Sequence, residues 1–158
     1  MNFLTEHGIG SYEELECKVD AVSARRDTTH TEIKRIESRS AELTLVMKHA
    51  TTYRQLKPIY DRYRKSGDKE KFLRGHESEI ILFEAAAREL KRLGAVPLPI
   101  TESMKTEFAK LNAEKERLLT EYKTARTEAQ EYDTVKQNVD ALLAVPKEQE
   151  QQRRHELE

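Results

Sequence analysis

Tryptophan is absent from this 158-residue chain, cysteine occurs once, and glycine and proline number only five and four. A single thiol, Cys17, excludes an intrachain disulfide and any cysteine-built zinc cluster, and it suits a reducing compartment. No stretch approaches the roughly 20 consecutive apolar residues of a membrane span, and residues 1–10 lack the basic start and apolar run of a signal peptide. The expectation is a cytoplasmic protein without membrane insertion. A formal net charge of −1 leaves no global attraction to nucleic acid, so any such contact has to come from a local patch.

What fills the space between so few breakers is Glu, Lys, Arg, Leu and Ala, which are strong helix formers. With 37% hydrophobic against 36% charged residues, the composition suits an elongated helical protein better than a sphere and argues against a sheet. Residues 1–10, ending in Gly8-Ile9-Gly10, read as a linker, consistent with a segment of a longer protein. Ser11 to Glu14 then forms a capping box, in which the Ser11 hydroxyl and the Glu14 carboxylate satisfy reciprocal backbone donors.

From there a 3,4 spacing runs through Tyr12, Leu15, Val19, Val22, Arg26, Thr29, Ile33, Ile36, Ser40, Leu43, Met47 and Ala50, the seam of a coiled coil. A second seam follows Pro97 and Pro99, reading Met104, Phe108, Leu111, Lys115, Leu118, Tyr122, Ala125, Ala129, Tyr132, Lys136, Val139 and Leu143. The fold class expected is therefore all-α: a long antiparallel two-helix coiled coil with a small helical tip inserted between the long helices. The long helices are placed at 11–50 and 101–145 and the tip at 51–94. All of 11–145 makes one domain, and 146–158 is a polar tail beyond the stop at Pro146.

Antiparallel alignment sets Tyr12 against Leu143, Val22 against Tyr132, Ile33 against Tyr122, Leu43 against Leu111 and Met47 against Phe108. It also pairs Arg26 with Ala129, Thr29 with Ala125 and Ser40 with Lys115, layers that bury little area and predict a loosely held middle third. In the tip, Tyr53, Leu56, Ile59, Tyr60 and Tyr63 form one apolar stripe, with Pro58 bounding or kinking it. After a turn at Ser66-Gly67-Asp68, a second stripe runs through Phe72, Leu73, His76, Ile80, Ile81, Phe83, Ala87, Leu90 and Leu93 to a left-handed cap at Gly94.

The five histidines show no metal-ligand spacing, and neither a phosphate-cradling glycine loop nor a nucleophile elbow is present. No catalytic residue, metal or cofactor is assigned. The sharpest feature lies in Tyr53 to Arg74, where Arg54, Lys57, Arg62, Arg64, Lys65, Lys69, Lys71 and Arg74 outweigh Asp61, Asp68 and Glu70. Cations interleaved with tyrosines are what a nucleic-acid contact needs. The competing reading makes the tyrosines the core of the tip and the cations a solvated face.

Three segments carry a family resemblance: Phe3 to Leu15 (FLTEHGIGSYEEL), Tyr60 to Ile80 around YDRYRK and KFLRGHESEI, and Leu93 to Pro99 (LGAVPLP). Together they resemble the C-terminal region of relaxases, the mobilisation nucleases of conjugative and mobilisable elements of Gram-positive gut bacteria. In that family a tyrosine nicks DNA at the transfer origin and becomes linked to its 5′ phosphate, with a metal held by histidines in an N-terminal nuclease domain. This sequence matches none of those motifs, and none of its tyrosines is assigned as the nucleophile. The resemblance implies a non-catalytic interaction module that supports relaxosome assembly, contacts DNA near a transfer origin, or docks to the coupling and secretion machinery. The alternative is a structural spacer or a homodimerising coiled coil without DNA binding.

Overall fold

Helix-forming composition is expressed as four α-helices in a computed structural model that describes residues 2–157, apart from the side chains of residues 145–148. They are α1 (Phe3–Glu6), α2 (Tyr12–Lys65), α3 (Lys69–Arg92) and α4 (Thr101–Glu156), and no strand occurs among the described residues. The fold is all-α, as expected. Two compact units divide the chain, one made of residues 1–34 and 116–158, the other of residues 35–115.

In the first unit α2 and α4 run antiparallel. The Tyr12 hydroxyl donates to Asp140 at 2.5 Å, Arg25 reaches Glu128 at 3.5 Å, and the His30 and Tyr122 rings lie 5.6 Å apart. Leu15, Val19, Val22, Ala129 and Tyr132 form the core, so Val22 and Tyr132 meet as the seam requires. The end layer differs: Tyr12 is satisfied by Asp140, and Leu143 is 54% exposed. A half-buried phenol gains more from a charged acceptor than from contact with a leucine. The contact holds the Asp140 carboxyl below its usual range, chiefly through the Tyr12 hydrogen bond and then through Lys136 at 3.2 Å, and raises the Tyr12 phenol. Thr29 is buried without cost, because its hydroxyl donates to the Arg25 carbonyl at 2.8 Å.

The segment expected as a linker is packed from Asn2 to Ile9. Asn2 caps α1, and Phe3, Leu4 and Ile9 pack on the core cluster, because three apolar side chains within reach of it gain more from burial than from water. Gly8, at φ 64°, lets the chain turn back into α2. At the start of α2 the Ser11 hydroxyl accepts from the Glu14 N–H at 3.2 Å, while the Glu14 carboxylate accepts from Gly10 at 2.6 Å instead of from Ser11.

In the second unit α2 and α4 again run antiparallel, with Lys115 on Glu37 at 3.3 Å and Arg39 gripping both oxygens of Glu107 at 2.8 and 3.2 Å. Ile36, Leu43, Val46 and Ala50 of α2 are buried, as are Ile80, Phe83, Ala86 and Leu90 of α3 and Met104 and Leu111 of α4. Three expectations need correction here. The first long helix does not end at 50; α2 continues to Lys65 through Pro58, whose ring removes only one helical hydrogen bond. Met47 is half-buried and Val46 takes the inner position. On α3, Ile81 is 54% exposed and Ala86 is inside, because at 3.6 residues per turn Ile81 falls about 180° from Phe72 and Ala86 within about 40° of it.

Two termini of this unit follow their sequence signals. Asp68 caps α3 by accepting from the Lys71 N–H at 3.1 Å. Gly94, at φ 69°, ends α3 in a Schellman motif, with Ala95 N–H on Leu90 O at 2.9 Å and Gly94 N–H on Lys91 O at 3.1 Å. Helix α4, by contrast, does not stop ahead of Pro146, a residue whose side chain lies outside the described residues. It runs on to Glu156, and the Gln, Glu and Arg residues of 149–156 favour that continuation.

In the Ser40 layer the hydroxyl is buried with no hydrogen-bond partner. An unsatisfied buried polar group costs about 1–3 kcal/mol, so Ser40→Ala is expected to stabilise the chain by about 1 kcal/mol. A urea midpoint that falls on substitution would contradict this.

Candidate nucleic-acid interface

The last turn of α2, the bend at 66–68 and the first turns of α3 bring six of the eight sequence-predicted cations around one turn of the chain. Arg62, Arg64 and Lys65 leave α2 at its C-terminus, where the helix dipole favours positive charge. Lys69, Lys71 and Arg74 follow on α3. All six are exposed. At 3.6 residues per turn, Arg62 with Lys65 and Lys71 with Arg74 form two same-face pairs, while Arg64 and Lys69 point towards the opposite faces of their helices.

The acids of this stretch do little to cancel that charge. Asp68 is committed to the α3 cap, and Glu70 meets Arg74 only at 3.7 Å between side chains more than four-fifths exposed, where an ion pair contributes next to nothing. Asp61 pairs with Lys57 at 2.8 Å, and that hydrogen bond raises the Lys57 pKa.

Two predicted contacts therefore have other duties. Lys57 is held by Asp61, and Arg54 donates to Thr101 Oγ1 at 2.6 Å and to the Pro99 carbonyl at 2.8 Å, tying the segment ahead of α4 to α2. Sequence reasoning missed this anchoring role. The signal for it was the Pro97-Leu98-Pro99 run, whose non-helical backbone presents carbonyls that no helix satisfies.

The tyrosines form the ring core of the tip. Phe83 stacks on Tyr53 at 4.7 Å and on Tyr60 at 4.3 Å, and Tyr63 faces Phe72 at 6.2 Å across the turn. These contacts hold the turn, and they engage one face of each half-buried tyrosine ring. What remains at the surface is a cationic turn, a distribution of charge complementary to anions, with few free rings beside it. No group of three metal-ligating side chains occurs among the described residues.

An all-α chain with a basic helix-turn-helix corner is the class these observations define. Compared with protein-family models, with curated proteins and with solved structures, the chain matches none.

Proposed function

We propose that this chain is a non-catalytic interaction module that contacts the phosphate backbone of DNA through the α2–α3 turn, and that it serves as the C-terminal part of a conjugative-transfer relaxase. The observation that supports the DNA contact is the set of six exposed cations at 62–74, whose neighbouring acids are occupied or too solvated to neutralise them. The relaxase assignment rests on the resemblance of the segments 3–15, 60–80 and 93–99. Relaxosome assembly and docking to the coupling machinery are the settings in which such a turn serves.

The test is a gel-shift titration at low and raised salt with the chain and with a variant carrying Arg62→Gln, Lys65→Gln, Lys71→Gln and Arg74→Gln. All four positions are exposed, so the variant keeps its helicity. Binding at low salt that is lost in the variant supports the reading. No binding by the unaltered chain at low salt favours the second reading, a structural spacer, for which the observation is that the tyrosines are spent on the core.

A further inference from the structure

The segment between α3 and α4 closes an apolar groove within the 35–115 unit. Tyr53 and Arg54 of α2, Leu90 and Lys91 of α3, and Val96 and Leu98 of the connecting segment line a cavity of about 740 Å³. Its floor is fixed, since Leu90 is 1% exposed and the Tyr53 ring is stacked on Phe83. Its lip is equally constrained: the Schellman turn at Gly94 and the two hydrogen bonds from Arg54 pin the segment at both ends. Yet Val96 stands 65% exposed on it. The volume falls within the roughly 300–1,000 Å³ of ligand-binding clefts.

Three cations line this groove, Arg54, Lys57 and Lys91, of which only Lys57 is paired with a carboxylate, that of Asp61. No Asp or Glu lines it. Arg54 spends its two hydrogen bonds on neutral oxygens, so its charge stays uncancelled, and Lys91 has no carboxylate partner among the described residues. An apolar floor beneath two uncompensated cations is complementary to a ligand that is apolar at its centre and acidic at its edges. A nucleic-acid backbone would gain nothing from Leu90, Val96 and Leu98. A groove open along an exposed lip suits a segment of polypeptide laid across it.

We propose that this groove docks an acidic segment of a partner protein, one or two large apolar side chains of which enter it while flanking Asp or Glu residues meet Arg54 and Lys91. This goes beyond the DNA contact and uses different residues, so either can fail alone.

The experiment is selection of a random 12-residue peptide library, displayed on phage, against the whole chain, followed by fluorescence anisotropy with the enriched peptide in synthetic form. The expected result is enrichment of Leu, Phe or Trp flanked by Asp or Glu, with a Kd at least tenfold weaker for Lys91→Glu and for Val96→Glu. Both side chains are exposed, so both variants keep the fold, and far-UV circular dichroism verifies it. The four-glutamine variant of the turn retains peptide binding, and Lys91→Glu retains DNA binding. Selection that returns no acidic-apolar peptides, or peptides whose Kd is unchanged in both groove variants, overturns the proposal.

Discussion

Phe83→Ala is expected to destabilise the chain by about 3–5 kcal/mol, the range for truncating a buried aromatic. Phe83 is 5% exposed and is the ring on which both Tyr53 and Tyr60 stack. Each aromatic pair contributes about 0.5–1.5 kcal/mol beyond the area it buries, so the loss falls in the upper half of that range. At about 2–4 °C per kcal/mol for a chain of this size, the melting temperature should drop by roughly 8–20 °C. Tyr60→Phe keeps the ring and should change stability by less than about 1 kcal/mol, which separates stacking from the hydroxyl. Circular dichroism melts of the two variants decide the matter; a Phe83→Ala shift no larger than that of Tyr60→Phe would refute the ring core. The same substitution should loosen the turn, since the rings from Phe83 through Tyr60 and Tyr63 to Phe72 are what hold α2 and α3 together beneath the cations.

Tyr132→Ala is expected to have an effect of similar size, about 3–5 kcal/mol, in the other unit. Tyr132 is 3% exposed, sits among Leu15, Val19, Val22 and Ala129, and receives the Phe3 ring edge-on at 5.0 Å and the His7 ring at 5.6 Å. Burial pushes its phenol up, with the Glu128 carboxylate adding to the shift. Because the N-terminal segment leans on this ring, its removal should also release residues 3–9. Limited proteolysis should then cut there sooner in Tyr132→Ala than in Tyr132→Phe, which preserves the ring contacts. Equal cleavage of the two variants would show that the segment is held by something other than Tyr132.

The architecture was legible wherever a local rule and the long-range packing agreed. The unbroken 3,4 spacing gave the two seams, because a helix repeats its face at that interval and a seam that long has to be covered. Asp68 and Gly94 marked the ends of α3 because each satisfies backbone groups that nothing else nearby can reach. Legibility failed where apolar composition stood in for helical phase. Ile81, taken together with its apolar neighbours, lies about 180° around the helix from Phe72 and is exposed, whereas Ala86 lies within about 40° of Phe72 and is buried. Phe3, Leu4 and Ile9 are too few to announce a packed element, and they find their place only because the core cluster is there to receive them.

For the candidate site, the composition of the basic stretch was plain but its division of labour was not. Eight cations in sequence become six around a turn, one tied to Asp61 and one that fastens the Pro97–Pro99 segment. That separation depends on α2 and the α3–α4 connection meeting in space, which no spacing along the chain encodes.

The central claim, that the α2–α3 turn neutralises DNA phosphates, is tested most directly by the salt dependence of binding. Fluorescence anisotropy with a labelled duplex, from about 50 to 200 mM salt, gives the slope of log Kobs against log salt, about −0.9 for each phosphate neutralised. If four to six cations of the turn engage, the slope is about −4 to −5, a loss of several hundredfold over that range, with little dependence on sequence. Replacing Arg62, Lys65, Lys71 and Arg74 by Gln leaves at most Arg64 and Lys69, so the slope should come to within about two units of zero. A slope that stays the same in the variant would contradict the account.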